Sequence, residues 1–329
     1  MRAMLVTAFG SPDVIQPGEI PLPQPRPMDL LIEVHAAAVN PVEWKIRKGA
    51  FREGRLLPFV PTYDVSGRVA AIGPDAGSFG FKTGDEIYAM GSILRNGAAA
   101  DFVCVDARTV APKPRSLDYM HAAAMPLATL TAWEALYDRA AIRAGETVLI
   151  HGGGGGVGHL AIQLARRRGC RVLTTASRPE TIHLCRKLGA CAVIDYSKQD
   201  VAAAVKELTA GRGCPVIFDT VGGATLEQSP GSLAIGGRLV TIVGTPIAAG
   251  SKDLFLKGAT VHYQFVSGVH LHGLDPSHQG DILRQAADMV NAGELMPHIG
   301  RAFPLGELAD AHRLAETTHV TGKIVIRVR

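Results

Sequence analysis

Five consecutive glycines, Gly152 to Gly156, followed by Val157 and Gly158, are the densest chemical signal in the chain. They contain the spacing Gly153-x-Gly155-x-x-Gly158, placed after the apolar run Thr147 to His151 and before a helix-like stretch beginning at Val157. Strand, tight turn and helix in that order make a phosphate cradle. One glycine permits the turn, one lets backbone approach a pyrophosphate, and one lets helix and strand pack closely. The helix start adds unpaired N–H groups and the positive end of a dipole. Because a five-glycine run meets this spacing trivially, the plainer reading is a flexible linker, and the regular elements on both sides argue against it. The expectation is a dinucleotide site on Gly153, Gly155, Gly156, Val157 and Gly158.

The end of the next strand, Arg171 to Thr175, discriminates between the two nicotinamide dinucleotides. An NAD site wants Asp or Glu about 20 residues past the last glycine, to accept from the ribose 2′-OH. Here the chain continues Ala176-Ser177-Arg178-Pro179, with no carboxylate. The Ser177 hydroxyl and the Arg178 fork suit a 2′-phosphate, which points to NADPH. The bland alternative is that Arg178 is a solvated residue opening the next helix.

Positioning these residues requires a parallel sheet. From about Met120 the chain alternates strand and helix: Thr147 to His151, Val157 to Arg168, Arg171 to Thr175, Pro179 to Leu188, Ala192 to Ile194, Val201 to Leu208, Val216 to Asp219, Leu226 to Ser229 and Arg238 to Val243. Helical crossovers are what parallel strands need, so a doubly wound α/β domain is expected. Before it, six prolines by residue 27 and short strand-like pieces (Leu30 to Val34, Gly67 to Ile72, Glu86 to Ala89, Asp101 to Val105) read as an irregular, mostly β domain. After Ser267 come a helix over Ile282 to Ala292, the stretch Leu308 to Glu316 and a strand over Lys323 to Val328. The apolar Ile324-Val325-Ile326 suggests that this tail rejoins the first sheet. The expected division is residues 1–120 with 267–329, interrupted by 121–266.

Composition narrows the classes. With 47% hydrophobic and 19% charged residues the chain can bury a large core. A formal charge of +4 without a long like-charge run makes nucleic acid and membrane surfaces poor partners; the richest basic run is Arg166 to Arg168. Five cysteines without a CxxC pair suggest neither disulfides nor a zinc finger. The first residues lack a signal-like apolar core, so a soluble cytoplasmic protein is expected. Among His262, His270, His272 and His278, the pair His270-x-His272 could ligate a metal, but no Cys accompanies it and no metal is expected there.

Several pieces together resemble one family: Ala38-Val39-Asn40-Pro41-Val42-Glu43-Trp44-Lys45-Ile46-Arg47, Tyr63-Asp64-Val65-Ser66-Gly67, Gly84-Asp85-Glu86-Ile87-Tyr88, Pro126 to Trp133, the glycine loop, and Phe218 to Gly223. In this order they resemble the zinc-independent medium-chain dehydrogenases/reductases, in the quinone oxidoreductase or enone reductase branch. The likeness runs over nearly the whole chain. It implies an α/β protein in which a GroES-like, mostly β catalytic domain is interrupted by a doubly wound Rossmann domain, with NADPH as cofactor and a homodimer as assembly.

The departures from zinc alcohol dehydrogenases are informative. Those relatives carry a Cys ligand where this chain reads Val39-Asn40-Pro41-Val42, and Gly-His-Glu where it reads Thr62-Tyr63-Asp64. Between residues 91 and 104 the only cysteine is Cys104, so a four-cysteine lobe cannot be assembled. Reduction of a simple ketone concentrates charge on one oxygen, where a metal commonly helps. Addition to the β-carbon of an enone or enal, or to a quinone, gives a delocalised oxyanion that hydrogen bonds can support. A quinone or α,β-unsaturated carbonyl is therefore the expected acceptor. A 2-enoyl-thioester reductase shares that chemistry, and a non-catalytic NADPH-binding redox sensor is the reading from another class.

The resemblance also assigns roles. Asn40 would face the nicotinamide and donate from its amide to ribose or substrate. Lys45 or Tyr63 would stabilise the enolate or donate its proton. Trp44, Phe51, Tyr63 and Phe265 are candidate pocket walls. Thr131, Val221, Val243, Gly244 and Thr245 would lie along the cofactor, Tyr196 would join Ser177 and Arg178 at the 2′-phosphate, and Lys323 would reach the cofactor from the returning tail. Ordinary packing is the bland alternative for Trp44, Lys45, Tyr196 and Phe265.

Overall fold

Two periodicities in the sequence become two separate units in the computed structural model, which describes residues 1–248, 250–317 and 320–329. The first unit comprises Met1–Leu130 with Ser267–Arg329, and the second Thr131–Val266.

The first unit begins with a hairpin, β1 (Arg2–Val6) and β2 (Ile15–Glu19). Its spine is β3 (Asp29–Val39), followed by the short helix α1 (Pro41–Arg47), β4 (Asp64–Ile72), β5 (Glu86–Met90), β6 (Phe102–Asp106) and β7 (Val110–Pro112). Next come α2 (Tyr119–Ala123) and α3 (Pro126–Trp133), the latter continuing as a π-helix over Glu134–Arg139. The division falls at Leu130, not at residue 120 as expected. Its cause is visible in a small buried cluster: Ala36 and Ala38 of β3, Val325 of the returning tail, and Ala123 and Ala124 at α2. Alanines on both faces let the helix lie close to the sheet, which ties α2 to the first unit.

In the second unit, β8 (Thr147–His151), α4 (Gly158–Arg167), β9 (Arg171–Thr175), α5 (Pro179–Leu188), β10 (Ala192–Ile194), α6 (Val201–Leu208), β11 (Cys214–Asp219), α7 (Gly223–Ser232), β12 (Leu233–Thr241), α8 (Ser251–Leu256) and β13 (Thr260–Tyr263) alternate. The six strands form one parallel sheet in the order β10-β9-β8-β11-β12-β13. The order reverses between β8 and β11, and in such sheets ligands collect outside the carboxyl ends of the strands at the reversal. Leu149, Leu173, Ile217 and Leu239 bury one face of that sheet.

The chain then returns through α9 (Gly268–Leu271), α10 (Ser277–Asn291), β14 (Ile299–Pro304), α11 (Leu308–Thr317) and β15 (Lys323–Arg327). As the alternating tail suggested, β15 pairs antiparallel with β3, matching Ile324 to Val39 and Arg327 to Ala36. β14 was not anticipated: Ile299–Pro304 holds Gly300 and Arg301, and its pairing with β15 supplies what the local sequence does not. Among the described residues no helix is long and apolar enough to cross a membrane.

Candidate functional site

The glycine loop lies at the carboxyl end of β8. Gly152 is the left-handed residue of the turn, with φ 71°, so the turn position falls one residue before the Gly153 chosen from spacing. Its N–H donates to Thr175 Oγ1 (3.0 Å), and the Gly153 N–H donates to the Thr175 carbonyl (3.1 Å), which fastens the loop to β9. A Cβ on Gly153 would stand 2.0 Å from Thr174 Oγ1, and one on Gly154 would stand 1.9 Å from Thr181 Cγ2. At Gly158 a Cβ would meet the Gly152 carbonyl oxygen at 2.2 Å, which is backbone and cannot rotate aside. Val157 precedes the first residue of α4, and Gly155 and Gly156 span the space before it. Only glycine lets this backbone close on itself, and the first turn of α4 leaves N–H groups for an anion.

At the ends of the next two strands, Ser177 and Tyr196 meet. The Ser177 hydroxyl donates to the Tyr196 phenol oxygen at 3.0 Å, and Tyr196 is half exposed. Arg178 is the residue before α5, its Nε 3.4 Å from Glu180 Oε1. The nearest strand-end carboxylate, Asp195, turns away: it accepts from the Ser197 N–H and hydroxyl and from Lys198, which hold it below the usual carboxylate range. A hydroxyl pair, with an arginine next in the chain after Ser177, is a donor set suited to a phosphate monoester.

Further along the sheet, Asp219 clasps two strand ends. It accepts from the Gly222 N–H (3.0 Å), the Val221 N–H (3.3 Å) and Thr241 Oγ1 (3.1 Å), and burial pushes its carboxyl up. Val243 packs where a Cβ on Gly222 would lie, at 2.8 Å. Val221, Gly244 and Thr245 are exposed at this edge. Thr131 is buried in α3. The glycine loop, Ser177, Arg178, Tyr196, Val221, Val243, Gly244 and Thr245 therefore all lie at the carboxyl ends of the parallel strands. The glycine cradle fits the pyrophosphate of a dinucleotide.

The first unit holds a different arrangement. Asn40 follows β3 and caps α1, and the Glu43 carboxyl accepts from its backbone N–H (3.1 Å), an Asn-x-x-Glu capping pattern. Glu43 also accepts from the Tyr63 N–H at 3.1 Å. The Asn40 amide donates to Asp64 Oδ2 at 2.8 Å and, more weakly, to Glu43 Oε1 and the Ala38 carbonyl, both at 3.3 Å. Its oxygen accepts from Lys323 Nζ, which also reaches Asp64 Oδ2 at 3.1 Å. The other Asp64 oxygen accepts the Leu127 N–H at the start of α3 (2.7 Å). Asn40, Glu43, Asp64 and Lys323 are each 3% exposed or less.

This cluster revises three expectations. The Asn40 amide is engaged within it, so donation to ribose or substrate needs a rearrangement. Lys323 is bound to Asp64 and Asn40 rather than reaching out from the tail. Tyr63 is buried, 3.4 Å from Arg55 Nη1, and burial pushes its phenol up to about 12, which makes it a poor proton donor near neutrality. Lys45, by contrast, is exposed, 5.6 Å from the Trp44 ring centroid. Trp44 and Phe51 lie in the first unit and Phe265 in the second, half exposed just beyond β13. Sequence reasoning passed over Glu43, although the capping pattern was its available signal.

An ammonium bridges Asn40 and Asp64, and among the described residues no group of three His, Cys, Asp or Glu side chains gathers.

Comparison with known proteins agrees on the family. Residues 26–115 match the alcohol dehydrogenase GroES-like domain, and residues 188–326 match a zinc-binding dehydrogenase model. The chain is 32% identical to human quinone oxidoreductase over 99% of its own length and 97% of that protein. To the chloroplastic NADPH-dependent alkenal/one oxidoreductase of Arabidopsis thaliana it is also 32% identical, over 99% and 79% respectively. A mycobacterial protein solved in complex with NADPH superposes with a TM-score of 0.89 at 30% identity, over the full length of both chains. The chain belongs to the medium-chain dehydrogenase/reductase superfamily, in its quinone oxidoreductase branch, and is an oxidoreductase of that kind.

Proposed function

We propose that this protein catalyses the NADPH-dependent reduction of a quinone or an α,β-unsaturated carbonyl compound without zinc. The observation that carries the reading is the Asn40–Asp64–Lys323 cluster, in which the available donors hold an ammonium instead of an open metal site. A delocalised oxyanion can be supported by hydrogen bonds and a positive side chain alone. When bound, the dinucleotide supplies the hydride. The glycine loop and the start of α4 bind its pyrophosphate; Ser177, Arg178 and Tyr196 bind its 2′-phosphate. Exposed Lys45 supplies a proton or a countercharge to the acceptor oxygen.

The test offers NADPH with a 1,4-quinone, an enone and a saturated ketone. Turnover is expected with the quinone or the enone, and Lys45→Ala should lower kcat about 10- to 100-fold while leaving NADPH affinity in place. Reduction of the saturated ketone alone would defeat the zinc-free reading. Stoichiometric NADPH binding with no oxidation across the panel would favour a sensor.

A homodimer forms part of the same proposal. β13 lies at the end of the parallel sheet, and Tyr263, Ile235 and Phe255 are exposed near that edge. An open edge strand beside apolar side chains is a template for pairing with a second copy. Light scattering should then give about twice the 34.7 kDa chain mass. A monomer at micromolar concentration would remove the dimer. Free cysteines throughout the chain support the cytoplasmic setting.

A further inference from the structure

The buried cluster of the first unit sets two carboxyl groups, Glu43 and Asp64, against one ammonium, Lys323. If both acids were ionised, it would hold one uncompensated negative charge away from water. Buried groups avoid that state by keeping a proton. The proton's place follows from the contacts. Lys323 touches Asp64 directly at 3.1 Å, whereas among the described residues Glu43 is met only by dipolar donors: the N–H groups of Asn40 and Tyr63 and the Asn40 amide. The charged and titratable groups acting on Glu43 are Asp64 of β4, Lys323 of β15 and the phenol of Tyr63. Burial pushes its carboxyl up to about 8; the two backbone N–H groups and Lys323 pull it down, while Asp64 adds to the rise.

We propose that Glu43 is a positioning residue: by holding the cluster's one proton it keeps the Asn40 carboxamide and the first turn of α1, which carries Trp44 and Lys45, in the arrangement the reduction uses. Loss of the proton sets two carboxylates against each other across Asn40. Relief comes from moving the start of α1 away from β4, and Trp44 and Lys45 move with it. The activity arm of this inference rests on the proposed reductase reading; the stability arm does not.

Wild type, Glu43→Gln and Asp64→Asn are compared in two measurements. In the first, kcat/KM for NADPH-dependent reduction of a 1,4-quinone is followed from pH 6 to 9. The wild type should fall about tenfold between pH 7 and 9. Glu43→Gln, which cannot ionise, should flatten that ratio to within about twofold. Asp64→Asn removes the facing negative charge and should move the falling limb acidward by about one pH unit or more. A purely structural role would move none of these ratios.

In the second measurement, thermal unfolding is followed from pH 5 to 9 without any acceptor. A carboxyl whose folded value is raised stabilises fully below its unfolded value and loses that contribution as pH rises through the folded one. The unfolding temperature of Glu43→Gln should therefore climb relative to the wild type from pH 5 to about 8 and then stay level. A pH-independent difference means that Glu43 holds no proton, and an unchanged alkaline limb in Glu43→Gln means that the proton does not serve the reaction; either result overturns the proposal. If no acceptor is turned over at all, the reductase reading fails while the unfolding profile still decides where the proton resides.

Discussion

Replacing Lys323 with methionine is expected to remove about 3–5 kcal/mol of stability from the first unit at neutral pH. The side chain is 3% exposed and its ammonium is, among the described residues, the one cation in contact with Asp64, which is fully buried. Methionine keeps most of the aliphatic volume, so the loss comes from a carboxylate left without its partner and not from a cavity. The dependence on pH identifies the cause. Burial already pushes the Asp64 carboxyl up, with Lys323 the largest opposing influence. Without Lys323 it rises further, and a raised carboxyl contributes most at acid pH and less as pH increases. The gap between wild type and variant should thus be small near pH 5 and widen toward pH 8. Denaturant unfolding can be followed for this unit alone, because Trp44 lies in it while Trp133 lies in the other; a Trp133→Phe background leaves one reporter. Equal midpoints at pH 7.5 would show that the ion pair is not what holds β15 against the end of β3. Adding Asp64→Asn to the Lys323→Met variant should recover part of the loss, since the stranded charge is then gone.

The second large effect is expected at the other unit. Arg178→Ala should weaken NADPH binding about 10- to 100-fold, the range of one or two charge-assisted hydrogen bonds, and leave NADH binding nearly unchanged. The reason is local. NADH lacks the 2′-phosphate, and the carboxylate that would otherwise read its 2′-OH is absent from the end of β9; Asp195, the nearest strand-end acid, is engaged by Ser197 and Lys198. Tyr196→Phe should cost less, because it removes one hydroxyl from a pair while Ser177 remains. Titration of each variant with both dinucleotides at fixed ionic strength checks this, and the NADPH affinity of the wild type should fall with added salt while that of Arg178→Ala falls less. An NADPH affinity unaffected by Arg178→Ala would falsify the assignment of the 2′-phosphate to this corner.

These two sites differ in how much of them could be read from the chain itself. The second unit was legible because its determinants are local. Thr147–His151, Arg171–Thr175, Pro179–Leu188 and Val201–Leu208 appear in the structure with the bounds that apolar runs, proline and helix periodicity predict. Glycine spacing pointed to the cradle, and the missing carboxylate after Thr175 is the ground for the proposed 2′-phosphate contact, since both features act within a few residues of the chain. Even there, which glycine takes the left-handed turn was a question of backbone conformation, and it is Gly152.

In the first unit, the family resemblance placed Asn40, Tyr63 and Asp64 where zinc-dependent relatives carry a metal, and the alternating tail suggested that a last strand returns. The use made of those residues was decided only by tertiary structure. Lys323 lies 283 positions from Asn40 and 259 from Asp64. It meets them because β15 pairs antiparallel with β3, matching Ile324 to Val39 and so bringing Lys323 to Asn40, the residue after the end of the spine. No periodicity encodes that meeting, and no single residue announces that a lysine will be buried. A side chain's hydrogen-bond partners and its exclusion from water are properties of the packed sheet, so the protonation of Glu43 and the engagement of Asn40 follow from the fold; the residue types and the order of the elements follow from the sequence.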